Sequence, residues 1–208
     1  MKSNSYFETI KVVDGEVLHL PYHQRRYESV LNALGIKEVE NLEEYIKPPQ
    51  AGLYRCRLVY TPLISNSIAI SYHLYEKKEI NSLKLIFNND INYSRKSTFR
   101  EELDTLYSKK NECDDVLIIK NLLVTDTSIA NIAFYSNGMC GEERGSTSGV
   151  WITPKEPLLK GTTRERLLDE GKIIEADIKV SQLRSYSKVA LLNAMIDFDI
   201  RERCEFLI

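Results

Sequence analysis

Lys96 stands directly before STFREELDTLYSKK, in which Phe99, Leu103, Leu106 and Tyr107 recur at helical spacing. Thr98 and Glu101 stand in the S/T-x-x-E relation of a capping box, which predicts a helix start near Ser97 or Thr98. A lysine at that place feels the positive end of the helix dipole, which disfavours its own charge. The neutral amine is the form that attacks a carbonyl. A solvated surface lysine is the plainer reading of the position alone. Asp126 lies in VTDTSIANIAFY, flanked by Ile129, Ile132 and Phe134. A carboxylate in such company needs a partner, although Asp126, Thr127 and Ser128 together also read as an ordinary turn.

Anion chemistry is written elsewhere in the chain. PLLKGTTRERLLDEG, Pro157 to Gly171, reads as a loop, a glycine, two threonines and a helix closed by a second glycine. Thr162 and Glu165 repeat the capping-box spacing. The unpaired amides of such a first turn suit a phosphate, with Gly161 permitting close approach. Arg26 follows His23 by three positions, so both share one face of a helix. Arg55 and Arg57 alternate on a strand and point to one sheet face, where the pair suits a carboxylate.

The elements that position these residues follow from turn signals and periodicity. Asp14-Gly15 between Tyr6–Val13 and Glu16–Leu20 predicts an opening β-hairpin. Pro21 starts a helix carrying Tyr27, Val30, Leu31 and Leu34 on one side and stopped by Gly35. A short helix at Leu42–Ile46 follows, then strands at Leu53–Tyr60 and Ser67–Tyr75, separated by Thr61-Pro62 and Ser65-Asn66. Leu83–Phe87 is a third strand, so residues 1–88 form a small α+β domain with an antiparallel sheet. The polar stretch 89–94 is the linker, and 95–208 the larger domain. There, strands fall at Val116–Ile119, Leu122–Thr125, Ile129–Tyr135, Val150–Thr153, Ile173–Val180 and Val189–Leu192. The glycine- and serine-rich stretch Ser136–Gly149 reads as a mobile loop.

Composition narrows the function classes. A net charge of -2 with no basic stripe argues against an electrostatic nucleic-acid binder. No run of about 18 apolar residues exists, and the opening MKSNSYFETIKVVDGEV has no apolar core of signal-peptide length, so a cytoplasmic protein is expected. Cys56, Cys113, Cys140 and Cys204 lack CxxC spacing and read as reduced thiols, and His19, His23 and His73 show no metal-ligand pattern.

In order and spacing, FETIKVVDGEV, HQRRY, KSTFR, VTDTSIANIAF, WITPKEPLLKGTTR and ALLNAMIDF resemble the class IV aminotransferase family, the pyridoxal-phosphate enzymes of fold type IV. Within it the chain is most similar to the 4-amino-4-deoxychorismate lyases. The resemblance implies an α+β, two-domain architecture, a small α/β sandwich plus a pseudo-barrel domain. It implies that Lys96 bonds to the cofactor's carbonyl carbon, with Arg100 four positions on as in the lyases. Arg26 falls on the arginine that grips the cofactor phosphate, and Gly161, Thr162, Thr163 and Arg164 on the G-I-T-R turn that meets the same phosphate. Asn131 and Asn193 fall on family asparagines near the cofactor. Asp126 falls where the family carries a glutamate that pairs with the pyridine nitrogen, one methylene longer.

The implied reaction is loss of pyruvate to give p-aminobenzoate, with transamination of a branched-chain or D-amino acid as its rival and a non-catalytic binding protein as a third reading. Arg55 and Arg57 suit the substrate carboxylates. The partners expected are a small amino substrate and a second copy in a homodimer, with no metal, nucleic acid or membrane. The chain begins almost at its FETI strand, where the family carries a further hairpin, and this leaves specificity open.

Overall fold

In Tyr6–Val13 (β1), Tyr6, Glu8, Ile10 and Val12 alternate into the interior, and Asp14 and Gly15 then take φ of 46° and 84°. Two successive positive φ values give the tight hairpin turn expected there. The computed structural model describes residues 5–62, 67–137 and 149–208. The Ser65-Asn66 turn, Cys140 and residues 138–148 of the glycine- and serine-rich stretch lie outside the described residues.

The return strand Glu16–Val17 (β2) is shorter than expected, because the chain enters helix Leu20–Ala33 (α1), with Pro21 in its first turn. Helix α1 buries His23, Tyr27, Val30 and Leu31. Leu34, expected on that buried side, is the exposed C-cap, and Gly35 follows at φ 76°. A short helix, Leu42–Tyr45 (α2), is capped by the Asn41 side chain. Strands Leu53–Tyr60 (β3) and Ile68–Leu74 (β4) complete an antiparallel sheet in the order β2-β1-β3-β4. Ile10, Val12, Cys56, Leu58 and Tyr60 from this sheet pack with the α1 side chains into one core.

The chain divides into two compact units, the first ending at Lys77 but including Arg95–Arg100. That returning segment is tied to β1 by its backbone. Phe7 N donates to Lys96 O at 2.9 Å, Ser97 bridges Tyr6, and Thr98 N donates to Ser5 O at 2.9 Å.

The second unit comprises Lys78–Ser94 and Glu101–Ile208. Its strands are Ser82–Phe87 (β5), Asp115–Lys120 (β6), Leu123–Thr127 (β7), Asn131–Ser136 (β8), Val150–Pro154 (β9), Ile174–Ala176 (β10), Lys188–Asn193 (β11), Asp197–Arg201 (β12) and Glu205–Leu207 (β13). Helices Glu101–Tyr107 (α3) and Thr162–Asp169 (α4) accompany them. The sheet runs β10-β9-β8-β7-β6-β5-β13, and β11 joins β8 to β12. Strand β8 is the branch point: Asn131 to Tyr135 pair along β11, while β7 and β9 share its other edge. Leu117, Ile119, Ile132, Phe134 and Ile152 fill the largest core of this unit.

Three local expectations change. Leu83–Phe87 was expected in the first antiparallel sheet, yet β5 pairs in parallel with β6 and β13, so the chain leaves the first unit after Lys77, not near residue 88. Helix α3 starts at Glu101 because Thr98 donates its hydroxyl to Ser5 O at 3.1 Å, leaving no capping box, and Phe99 is exposed. The Ile173–Val180 strand shrinks to β10 before a 3-10 turn at Val180–Ser185.

Leu117 is fully buried at the centre of β6. Leu117→Ala should destabilise the protein by about 3 kcal/mol in chemical denaturation, the loss typical of a leucine-sized cavity.

Candidate active site

Alternation on β1 puts a carboxylate, Glu8, at an inward, buried position. It is satisfied by α1. His23 Nδ1 lies 2.6 Å from Glu8 Oε2, and Arg26 donates through Nε to Oε1 at 2.9 Å and through Nη2 to Oε2 at 2.5 Å. Their spacing of three on α1 lets both side chains reach one carboxylate. Burial alone would raise Glu8, but Arg26 and His23 outweigh it and hold the carboxyl at about 2. Burial lowers His23 against the opposing pull of Glu8, which favours its neutral form.

Lys96 is placed beside this cluster by the backbone pairing with β1, with its Nζ 4.9 Å from the centre of the Phe7 ring. The Arg57 guanidinium lies over the same ring at 3.9 Å. Loss of solvent lowers the Lys96 amine to about 7; Arg26, Arg100 and Arg57 add to the effect and Glu8 opposes it. The lowered affinity for a proton thus has a different cause from the one the sequence suggested. Helix α3 begins five residues on, and burial among guanidinium groups replaces the dipole. Arg57 belongs to this group, whereas Arg55 is exposed and faces His73 and Lys11 across the open sheet surface.

The second unit holds the acid and the anion turn. Asp126 is buried inside β7, not in a turn. Its Oδ1 accepts from Asn131 Nδ2 at 2.7 Å and its Oδ2 from Leu159 N at 2.9 Å. Burial raises this carboxyl to about 6, while the Asn131 and Leu159 bonds and the charge of Arg164 restrain the rise. Gly161 is the N-cap of α4 and supplies no side-chain cap. The expected capping box is absent because Thr162 is already the first helical residue; Thr162 and Thr163 are buried in that first turn. Its leading amides therefore lack side-chain partners from the cap, the arrangement that receives an anion. Arg164 turns away to Pro154 O at 2.8 Å and Glu175 at 2.6 Å, fixing the turn from behind. Asn193 organises the β11–β12 turn, its Oδ1 accepting from Met195 N and Ile196 N.

A profile described as "Amino-transferase class IV" matches residues 96–200. An uncharacterised protein of Haemophilus influenzae is 34% identical over 195 residues, covering 91% of this chain and 96% of that one. The chain belongs to the class IV aminotransferase family. A crystal structure of a proposed 4-amino-4-deoxychorismate lyase from Haemophilus somnus superposes with a TM-score of 0.80 at 34% identity, covering 94% of this chain and 98% of that one. A proposed amino-acid aminotransferase from Mesorhizobium loti shares the fold, with a TM-score of 0.79 at 21% identity over 98% and 100% of the two chains. The fold is type IV, and the chain is a pyridoxal-phosphate-dependent enzyme.

The residues present fit that cofactor. Taken one by one, the desolvated Lys96 amine suits its carbonyl, the glycine-led helix turn with uncapped amides suits its phosphate, and the buried Asp126 carboxylate suits its pyridine nitrogen. Glu8 is the participant that sequence reasoning passed over. Its signal was present: an acid on the inward side of an otherwise apolar alternation, with His23 and Arg26 three apart on the next helix.

Labelling of Lys96 by an amine-selective reagent should follow a titration with a midpoint near 7, against 10.5 for an ordinary lysine. Glu8→Gln should move that midpoint lower still, because Glu8 is the anion that favours the charged amine. The same change should cost about 3 kcal/mol at neutral pH, as expected when a buried ion cluster loses one partner. The stabilisation from Glu8 is present above pH 4.5 and is lost as pH falls towards 2, so the variant should lack that part of the acid dependence.

Proposed function

We propose that the chain is a 4-amino-4-deoxychorismate lyase, releasing pyruvate and p-aminobenzoate. The observation that carries this reading is the likeness to the Haemophilus somnus protein along nearly the full length of both chains. It is supported by the KSTFR segment, in which Arg100 adds its charge to the environment of Lys96.

Pyridoxal phosphate, when bound, supplies an electron sink that stabilises charge developing at the substrate's Cα. The chain's own groups do the rest. Lys96, neutral for a large fraction of molecules near pH 7, would hold the cofactor through its amine. The same Nζ would serve as general base for the substrate's Cα proton. Departure of pyruvate leaves the carbocycle aromatic, so the elimination is strongly downhill. Asp126 is ionised above its value of about 6 and would hold a proton on the pyridine nitrogen; Asn131 and the backbone amides of Leu159 and Leu158 bond to it and leave acceptor capacity on the carboxylate. The first-turn amides at Gly161–Thr163 would hold the phosphate, and Arg26, braced by Glu8, carries a fixed positive charge suited to an anion. Arg57 suits a substrate carboxylate better than Arg55, since it lies over Phe7 in the group around Lys96.

Incubation with 4-amino-4-deoxychorismate should release pyruvate and p-aminobenzoate in equal amounts, and Lys96→Ala should lower that rate roughly a thousandfold or more. Amino transfer from a branched-chain or D-amino acid, without p-aminobenzoate, would replace the lyase with a transaminase. Cofactor binding with neither product would replace both with a binding protein.

A further inference from the structure

Asn131 opens β8 directly opposite Asp126 of β7, and its side chain is buried. Its amide nitrogen donates twice, to Asp126 Oδ1 at 2.7 Å and to the Leu159 carbonyl at 2.8 Å. Both partners are pure acceptors, so the orientation of the amide is forced and both its hydrogens are used. The remaining atom, Oδ1, is pressed against Gly161. A Cβ built on Gly161 would overlap it and would lie 3.2 Å from the amide carbon. Leu159 N closes the ring by donating to Asp126 Oδ2 at 2.9 Å.

We infer that Asn131 is a positioning residue that locks the Asp126 carboxylate to the Leu159–Thr162 turn, and that position 161 is glycine because the Asn131 carbonyl stands where a Cβ would be. The acid and the anion-binding turn then move as one piece. Asn131 has no hydrogen left to offer a cofactor, and it acts through Asp126 and the turn. This also gives Gly161 a reason beyond phosphate approach: its φ of -77° is open to any residue, so neighbouring space and not backbone strain requires glycine. The inference rests on the proposed function only for what the acid and the turn hold; the lock itself is a property of the cofactor-free chain.

The test is a double-mutant cycle on the full-length apoprotein, with Gly161→Ala, Asn131→Ala and the two combined, read by melting temperature. Gly161→Ala alone should lower the melting temperature by about 5 °C, the scale of overpacking in a protein of this size. In the Asn131→Ala background the same substitution should cost almost nothing, because the obstructing carbonyl is gone. A second readout separates positioning from mere packing: the Asp126 carboxyl titration, followed by carbon NMR of aspartate-labelled apoprotein. Its midpoint should rise above about 6 in Asn131→Ala, since the bond from Asn131 favours the ionised form.

Equal cost of Gly161→Ala in both backgrounds would overturn the lock, and so would an unmoved Asp126 midpoint. Should Asn131→Ala fail to fold, Asn131→Ser, which also withdraws the carbonyl, carries the cycle. A wild-type protein that gives no p-aminobenzoate would sink the lyase reading while leaving this apoprotein cycle to decide the lock.

Discussion

A primary amine taken out of water beside guanidinium groups surrenders its proton near neutral pH. The proposed chemistry depends on that constraint at Lys96. Desolvation contributes most, and Arg26, Arg100 and Arg57 each disfavour a further positive charge. Such a concentration of cations needs an internal counterweight, which Glu8 provides by binding Arg26 through both oxygens and sharing Oε2 with His23. The fold of the first unit serves this arrangement directly. Strand β1 carries Glu8 inward, α1 delivers His23 and Arg26 to meet it, and the pairing of residues 96–98 with the start of β1 sets the lysine in place.

The second unit solves the opposite electrostatic problem, keeping an acid usable in a dry place. Burial pushes Asp126 towards protonation, and the bonds from Asn131 Nδ2, Leu159 N and the Leu158 backbone, with the charge of Arg164, limit the rise so that the group is still largely ionised near pH 7. An aspartate in place of the family's glutamate shortens the reach by one methylene. The compact ring of hydrogen bonds joining Asp126, Asn131 and Leu159 gives the shorter side chain a fixed direction. Arg164, pinned to Pro154 and Glu175, performs a similar service for the turn at Gly161.

Much of this was legible in the sequence wherever the deciding physics is local. Asp14-Gly15, Pro21 and Gly35 announced the first hairpin and helix because turn chemistry needs only neighbouring residues. Local rules misled at both proposed capping boxes: Thr98 is drawn to Ser5 by strand pairing, and Thr162 lies inside the helix it was expected to cap. Strand β5 looked like a continuation of the first sheet because its parallel partners, β6 and β13, lie far along the chain. Strands β12 and β13 are short and have no fully buried residue, so neither carries the apolar run that marks the core strands. Of the site, the low proton affinity of Lys96 was expected for the wrong reason, since desolvation dominates and two of the surrounding arginines, Arg26 and Arg57, come from a distant helix and strand. The need of Asp126 for a partner was legible from its apolar flanks; that one partner is a backbone amide 33 residues away was not.

The most direct measurement is peptide mass analysis after the protein is mixed with pyridoxal phosphate and reduced with borohydride. The account predicts one cofactor-sized mass addition on the peptide containing Lys96, trapped most efficiently at and above pH 7. An addition spread over surface lysines, or none on the Lys96 peptide, would contradict it.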